Sequence, residues 1–299
     1  MLMIVMWRTG MISSIYPTRG QHPSDNLATM KHILLPTDLS ACALNAAAFA
    51  FDLFGTSDTK YTLLHAYYAV GFNDPFLPEV PAAIQRSSQE ELEEFSKRCL
   101  ALRPGERPNL TRVVSFGALT GVVRDTCTAE DVDMIVMGTR GKSGASLFGS
   151  TTSELVKHAL VPVIAVPDQW KSRPLRKILF ADDHGEMDGQ IVAPMMQLAV
   201  RTGATVTMAH VRRELLVEAG GEDLRAKENP LAGVPHSFVT VADDHVPEAL
   251  DKLAIEGDMD MIAIIRRDLG VLDSLLHRSM ARKMALHTHL PLLVMNAKV

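Results

Sequence analysis

An α/β fold in two tandem domains, each a five-stranded parallel sheet with helices on both faces, is what this sequence predicts, and three observations carry it. Short continuous apolar runs alternate with stretches whose apolar residues recur at helical spacing. The alternation occurs twice along the chain, and one run ends in a glycine-rich loop that leads into a helix. Strands buried on both faces and joined by helical crossovers read this way.

Residues 1–29 hold one short apolar run, Met1 to Trp7, then Gly, Ser, Pro and polar residues without a convincing cleavage site. They are expected as a disordered leader or a mis-assigned start, because Met30-Lys31-His32-Ile33-Leu34-Leu35 opens as a domain would on its first strand. Ile33-Leu34-Leu35 suits a doubly buried strand, and Pro36-Thr37-Asp38-Leu39-Ser40 breaks it. Ser40 is placed to cap a helix running through Phe54, with Leu44, Ala47, Ala48 and Phe51 on its buried face. Tyr61 to Tyr67 reads as the second strand, and a helix of about four turns is expected from Ile84 to Leu100. Strands at Leu110–Phe116, Met134–Met137 and Val163–Val166 then alternate with helices at Leu119–Cys127 and Ser150–Leu160. A polar linker, 168–175, separates the first domain, 30–167, from the second, 176–299.

The second domain repeats the first. Ile33 and Ile178, Asp38 and Asp183, and His65 and His210 all stand 145 positions apart. The spacing falls to 127 at Met134 and Met261, where the second copy lacks most of the insert holding the Ile84 helix, and is 129 at Pro162 and Pro291. The change from 127 to 129 therefore lies inside the glycine loop.

Composition narrows the partners. A chain of 299 residues, 47% hydrophobic and 22% charged, is globular in type and long enough for two domains of roughly 150 residues. A net charge of −5 argues against a surface built mainly for nucleic acid. Cys42, Cys99 and Cys127 are far apart and form no CxxC, so neither a zinc site nor a disulfide framework is signalled and a reduced, cytoplasmic setting is expected. No apolar run reaches the ~18 residues of a membrane span, so no membrane partner is expected.

The chemistry concentrates where Met134-Ile135-Val136-Met137 ends in Gly138-Thr139-Arg140-Gly141-Lys142-Ser143-Gly144 and continues to Gly149-Ser150-Thr151. Glycines admit close backbone approach, and the unpaired N–H groups of a helix's first turn attract anions. Such a loop, at the carboxyl end of a parallel strand, is a candidate phosphate cradle. It is no phosphate-loop NTPase motif, which would need a glycine at Val136.

Pro36-Thr37-Asp38, Leu64-His65-Ala66 and the Met137-Gly138-Thr139-Arg140-Gly141 loop with Gly149-Ser150 together resemble the universal stress protein family, in a tandem arrangement. The likeness covers 31–166 well and 176–296 more weakly. It implies Rossmann-like domains of the adenine nucleotide α-hydrolase type, a stress-response role, and ATP, with Mg or Mn as an admissible companion, in the first domain. Carried over residue by residue, it implies Asp38 and Ala66 near the nucleoside. It places Gly138, Gly141, Gly149 and Ser150 near phosphate, with Pro36, Thr37, Met137, Arg140 and Thr151 also in the nucleotide-binding set. Family dimers imply that the two domains pair through Val163–Val166 and Leu292–Met295, with a homodimer of whole chains open. One departure stands out: seven residues, Lys142 to Phe148, separate Gly141 from Gly149 where the family pattern has nine. In the second domain Ile265, Asp268 and Arg278 replace the three glycines and only Ser279 persists, so no cofactor is expected there.

Other constellations read as structural. His65 and His210 occupy matching strand ends, and His158 and His287 matching helix ends. Asp182-Asp183-His184-Gly185-Glu186 has metal-ligand chemistry, yet a polar loop is needed there anyway, so no metal site is assigned. No Ser-His-Asp order, paired carboxylates or activated cysteine is visible, so no catalytic residue is assigned and a binding module is expected, with slow incidental hydrolysis left open. A ligand-free structural module is the alternative. An adenylate-forming ligase would require a Ser-Gly-Gly-x-Asp-Ser loop that Pro36 to Ser40 lacks.

Overall fold

The computed structural model describes residues 4–7, 11–16, 30–68, 80–139, 150–182, 187, 189–212, 231–266 and 290–296. The chain divides into two compact units, Met30–Ser172 and Arg173–Val299 together with Met1–Thr29.

In chain order the strands are β1 (Ile4–Trp7), β2 (Met11–Tyr16), β3 (His32–Pro36), β4 (Lys60–Tyr67), β5 (Asn109–Phe116), β6 (Met134–Gly138) and β7 (Val163–Val166), then β8 (Lys177–Asp182), β9 (Thr205–Arg212), β10 (His236–Ala242), β11 (Met261–Arg266) and β12 (Leu292–Asn296). The helices are α1 (Ala41–Phe54), α2 (Val80–Leu100), α3 (Leu119–Glu130), α4 (Ser150–His158), α5 (Gly189–Thr202) and α6 (Val246–Glu256). The α/β class and the parallel sheets are as expected. In the first unit five parallel strands run in the order β7-β6-β3-β4-β5. The winding reverses between β3 and β6, and the carboxyl ends of those two strands mark the switch point.

Each element follows from local chemistry. The strands β3, β6 and β7 are buried at every position, as their unbroken apolar runs require. Ser40 caps α1, its Oγ accepting from Ala43 N at 3.2 Å, and Gly55 closes the helix at φ +73°, donating its N–H to Phe51 O at 2.9 Å. Phe51 meets Tyr61 of β4 edge to face, with ring centroids 4.8 Å apart. The helix α1 packs on β3, β6 and β7 beside α2, while α3 pairs with α4 and contacts β4. The first part of the expected linker belongs to this unit: Trp170 is buried against Phe49, and Asn45 Nδ2 donates to Pro167 O and Trp170 O.

The second unit repeats the five parallel strands as β12-β11-β8-β9-β10. Where residues 1–29 were expected as a disordered leader, β1 and β2 form an antiparallel hairpin, and β2 runs antiparallel along β10. Apolar, β-prone residues such as Ile4, Val5, Ile12 and Ile15 suit that pairing, and an open strand edge accepts it.

The two units share a turn that the sequence reading did not single out. Asp131 and Asp258, 127 positions apart, both take the left-handed conformation after α3 and α6, at φ +48° and +47°. Two residues later Asp133 Oδ2 accepts from Lys31 N at 2.7 Å and His32 N at 2.9 Å. Asp260 Oδ2 does the same for Arg176 N at 2.8 Å and Lys177 N at 2.9 Å. One carboxylate thus clamps the amides that open β3 in the first unit and β8 in the second. Bonds to a charged acceptor contribute about 1.5–3 kcal/mol each. Asp260 is buried and also meets Arg173 Nε at 2.7 Å, whereas Asp133 is exposed. Urea unfolding should therefore show Asp260→Ala less stable by roughly 2–4 kcal/mol and Asp133→Ala by less. Equal or negligible losses would contradict the clamp.

Candidate functional site

The first unit's switch point gathers two of the sequence-predicted segments. The loop after β3 is fixed by its own side chains: Thr37 Oγ1 accepts from Leu39 N at 2.9 Å, and Asp38 Oδ1 from Ser40 N at 3.1 Å. Leu39 sits at φ +66°, a conformation that costs an L residue roughly 1 kcal/mol. The neighbouring strand holds the loop from below, with Thr37 N donating to Leu64 O at 2.8 Å and His65 Nδ1–H to Thr37 O at 2.9 Å. His65 is thus a structural anchor. The pairing of Pro36 with Leu64 continues to bring Asp38 level with Ala66, and that of Leu34 with Ile135 brings Thr37 level with Gly138.

Gly138 closes β6 against the first turn of α1. A Cβ there would lie 2.6 Å from Cys42 Sγ and 3.1 Å from the Cys42 carbonyl carbon and oxygen. This glycine is demanded by helix packing, independently of any ligand. Thr139 follows, its N–H donating to Val166 O at 3.0 Å. Thr152, in the first turn of α4, donates its hydroxyl to Gly138 O at 3.2 Å and Thr139 O at 3.3 Å. It ties the helix start to the strand end. Thr139 Oγ1 is buried and has no hydrogen-bond partner among the described residues. A buried hydroxyl without a partner beside a helix N-terminus is chemistry that suits a ligand oxygen.

Of the sequence-predicted residues, Pro36, Thr37, Asp38, Ala66, Met137 and Gly138 are thus placed on the carboxyl edge of three adjacent strands. Arg140, Gly141 and Gly149 lie outside the described residues, as do the side chains of Ser150 and Thr151. Sequence reasoning missed Thr152 and Cys42. The signal for Thr152 was the Ser150-Thr151-Thr152 triplet, whose third member faces the strand.

In the second unit Ile265 is buried at the position matching Gly138. The helix α5 begins at Gly189, three residues later than the 145-residue spacing would put it, so Met187, the counterpart of Cys42, precedes the helix. An isoleucine fits where α1's first turn would exclude it. Arg266 stands at the Thr139 position, and burial pushes its guanidinium below the usual arginine range. Asp268, Arg278, Ser279 and His287 lie outside the described residues, as do Asp183, His184 and Glu186 of the metal-like loop. Among the described residues no group of three His, Cys, Asp or Glu side chains could hold a metal ion, and no helix is long and apolar enough to cross a membrane.

A model described as the universal stress protein family matches residues 29–167. Residues 29–167 are thus a universal stress protein domain. Among solved structures, a universal stress protein from Archaeoglobus fulgidus DSM 4304 is similar at 17% identity over 89% of this chain and 98% of that one, with a TM-score of 0.67. A functionally unknown protein from Pseudomonas aeruginosa PAO1 is similar at 16% identity over 89% of this chain and 92% of that one, with a TM-score of 0.52. At these identities the likeness is one of fold, and it spans both units. No curated protein matches the chain.

Two outcomes follow from the geometry of this domain. Gly138→Ala should cost roughly 1–3 kcal/mol without any ligand present, and adding Cys42→Ala should recover part of it, since only the Sγ contact is relieved. Additive losses in that double-mutant cycle would contradict the packing account. Burial pushes the Cys99 thiol up to about 12 and the Cys127 thiol up to about 11, so neither is a thiolate at neutral pH. Mass spectrometry after iodoacetamide treatment should find both unmodified in folded protein and modified in urea; rapid labelling of either in the folded state would refute this.

Proposed function

We propose that the first unit of this universal stress protein is an adenine-nucleotide receptor, and that ATP binding there is what its carboxyl edge is built for. In this reading the phosphates lie at the glycine loop and the first turn of α4, against Met137, Gly138, Arg140, Gly141, Gly149, Ser150 and Thr151. The nucleoside lies against Pro36, Thr37, Asp38 and Ala66. Mg or Mn would travel with the phosphates. The observation that carries the reading is convergence at the switch point: a preset Asp38 loop and an α4 N-terminus on neighbouring strands, with the buried, unpartnered Thr139 hydroxyl between loop and helix. Ligands in open parallel sheets bind at this place.

The second unit lacks these features at the positions described, and we assign it a structural or regulatory role. The whole acts as a binding module whose occupancy alters its contacts in a stress response, rather than as an enzyme. A second reading, a ligand-free interaction module, draws on one observation: Gly138 is already accounted for by Cys42.

Native mass spectrometry of freshly purified protein, with calorimetric titration of ATP, AMP and cyclic AMP, separates the two. The expected result is one adenine nucleotide per chain. Two per chain would overturn the asymmetry between units, and none would establish the ligand-free reading. Asp38→Ala should weaken ATP roughly tenfold, about 1.4 kcal/mol. Asp38→Asn, which keeps an acceptor for Ser40 N, should fall between it and the native protein. Unchanged affinity in both variants would remove Asp38 from the site.

A further inference from the structure

Beyond Ala66 the carboxyl edge carries a cluster of rings. Tyr67 of β4 pairs in register with Phe116 of β5, and their rings meet edge to face with centroids 5.7 Å apart and planes at 66°. Tyr68, the next residue, stacks on Phe116 at 5.5 Å with the planes 24° apart. Tyr68 is 74% exposed, with Phe116 behind it. Single exposed apolar residues need no explanation, but an exposed tyrosine stacked on a second ring at a strand end is suited to recognising a flat ligand.

Their position supplies the occupant. The order β6-β3-β4-β5 lays Gly138, Asp38, Ala66 and Phe116 successively along one edge. Strands about 4.8 Å apart put the β5 end about 14 Å from the β6 end. A ligand anchored by its anionic end at the α4 N-terminus and running over Asp38 therefore carries its far end to the rings. Ala66 pairs with Ser115, Tyr67 and Phe116 stand one residue further out, and Tyr68 follows Tyr67. Flat rings recognise a flat heterocycle by stacking, and the base is the aromatic portion of a nucleotide.

We propose that Tyr68, backed by Phe116, is a stacking platform for the purine base of a nucleotide bound at the first unit's carboxyl edge. The inference rests on the nucleotide reading of that edge and extends it by naming what selects the base. Tyr68 offers its outer face, Phe116 supports the inner one, and Tyr67 holds Phe116 in place. The platform favours a purine nucleotide over the bare phosphate chain and leaves anion capture to the glycine loop.

The test compares ATP with inorganic tripolyphosphate by calorimetry on the full chain. Tyr68→Ala and Phe116→Leu change exposed positions, and circular dichroism melting checks that each folds. ATP affinity should fall roughly tenfold in Tyr68→Ala and be restored in Tyr68→Trp, while tripolyphosphate affinity stays within twofold in every variant. Bound ATP should also perturb tyrosine absorbance in the native protein and less so in Tyr68→Ala. ATP affinity within twofold of native in both Tyr68→Ala and Phe116→Leu would overturn the platform and leave the nucleotide reading standing. An equal loss for tripolyphosphate would reduce the rings to a packing role. If the native protein binds neither ATP nor tripolyphosphate, the nucleotide reading fails and the platform with it.

Discussion

The carboxyl edge of the first unit depends on how closely the first turn of α1 approaches the end of β6. Gly138 sets that distance. With a hydrogen in place of a Cβ, the Cys42 backbone comes within 3.1 Å of where the side chain would stand, and Cys42 Sγ reaches toward Val166 O at 3.9 Å. The approach draws the Ser40-capped start of α1, and with it the Asp38 loop, toward the end of β6. Thr139 then leaves the strand still paired to β7, and Thr152 ties α4 to both carbonyls. Remove the close approach and the separation of Asp38 from the α4 N-terminus is no longer fixed.

The internal repeat shows which parts of the fold tolerate change. At the amino edge the two units match closely: a left-handed aspartate, then an aspartate clamping two amides, in Asp131 and Asp133 as in Asp258 and Asp260. At the carboxyl edge Gly138 has become Ile265 and Thr139 has become Arg266. An amide clamp at the start of a strand serves folding, so each unit requires its own. A glycine that admits α1 is required only where the helix starts early, and α5 starts three residues later. The two edges of one sheet therefore diverge for separate physical reasons.

Much of this was legible in the sequence because it is written locally. Continuous apolar runs gave β3, β6 and β7, Ser40 gave the α1 cap, and the 145-residue spacing gave β8 and β9. The helix α2 begins at Val80, four residues before the Ile84 expected, because the apolar periodicity used to place it weakens through Pro81, Ala82 and Ala83. Non-local contacts were not legible. Gly138 reads as a ligand glycine until Cys42, far away in sequence, is seen opposite it. Asp133 looks like any loop carboxylate until the Lys31 and His32 amides are found on it. The hairpin of β1 and β2 was missed because its partner, β10, lies more than 200 residues away and short polar-flanked runs carry little strand signal alone.

The two-residue deficit between Gly141 and Gly149 looked in the sequence like the weakest part of the nucleotide reading. Its thermodynamic weight is small, because shortening a closed loop from about twelve residues to ten changes the closure entropy by only about 0.2 kcal/mol. Any consequence must come through the aim of the loop's own amides. The parts of the edge described outside the loop, the Asp38 turn, the Thr139 hydroxyl and the Thr152-anchored start of α4, are set by β3, β6 and β7 and do not depend on loop length. In the proposed nucleotide site, a shorter loop would shift the load of phosphate binding from loop amides toward the first turn of α4. On that proposal, loop length would affect affinity less than loss of Thr152, which holds that turn against the strand.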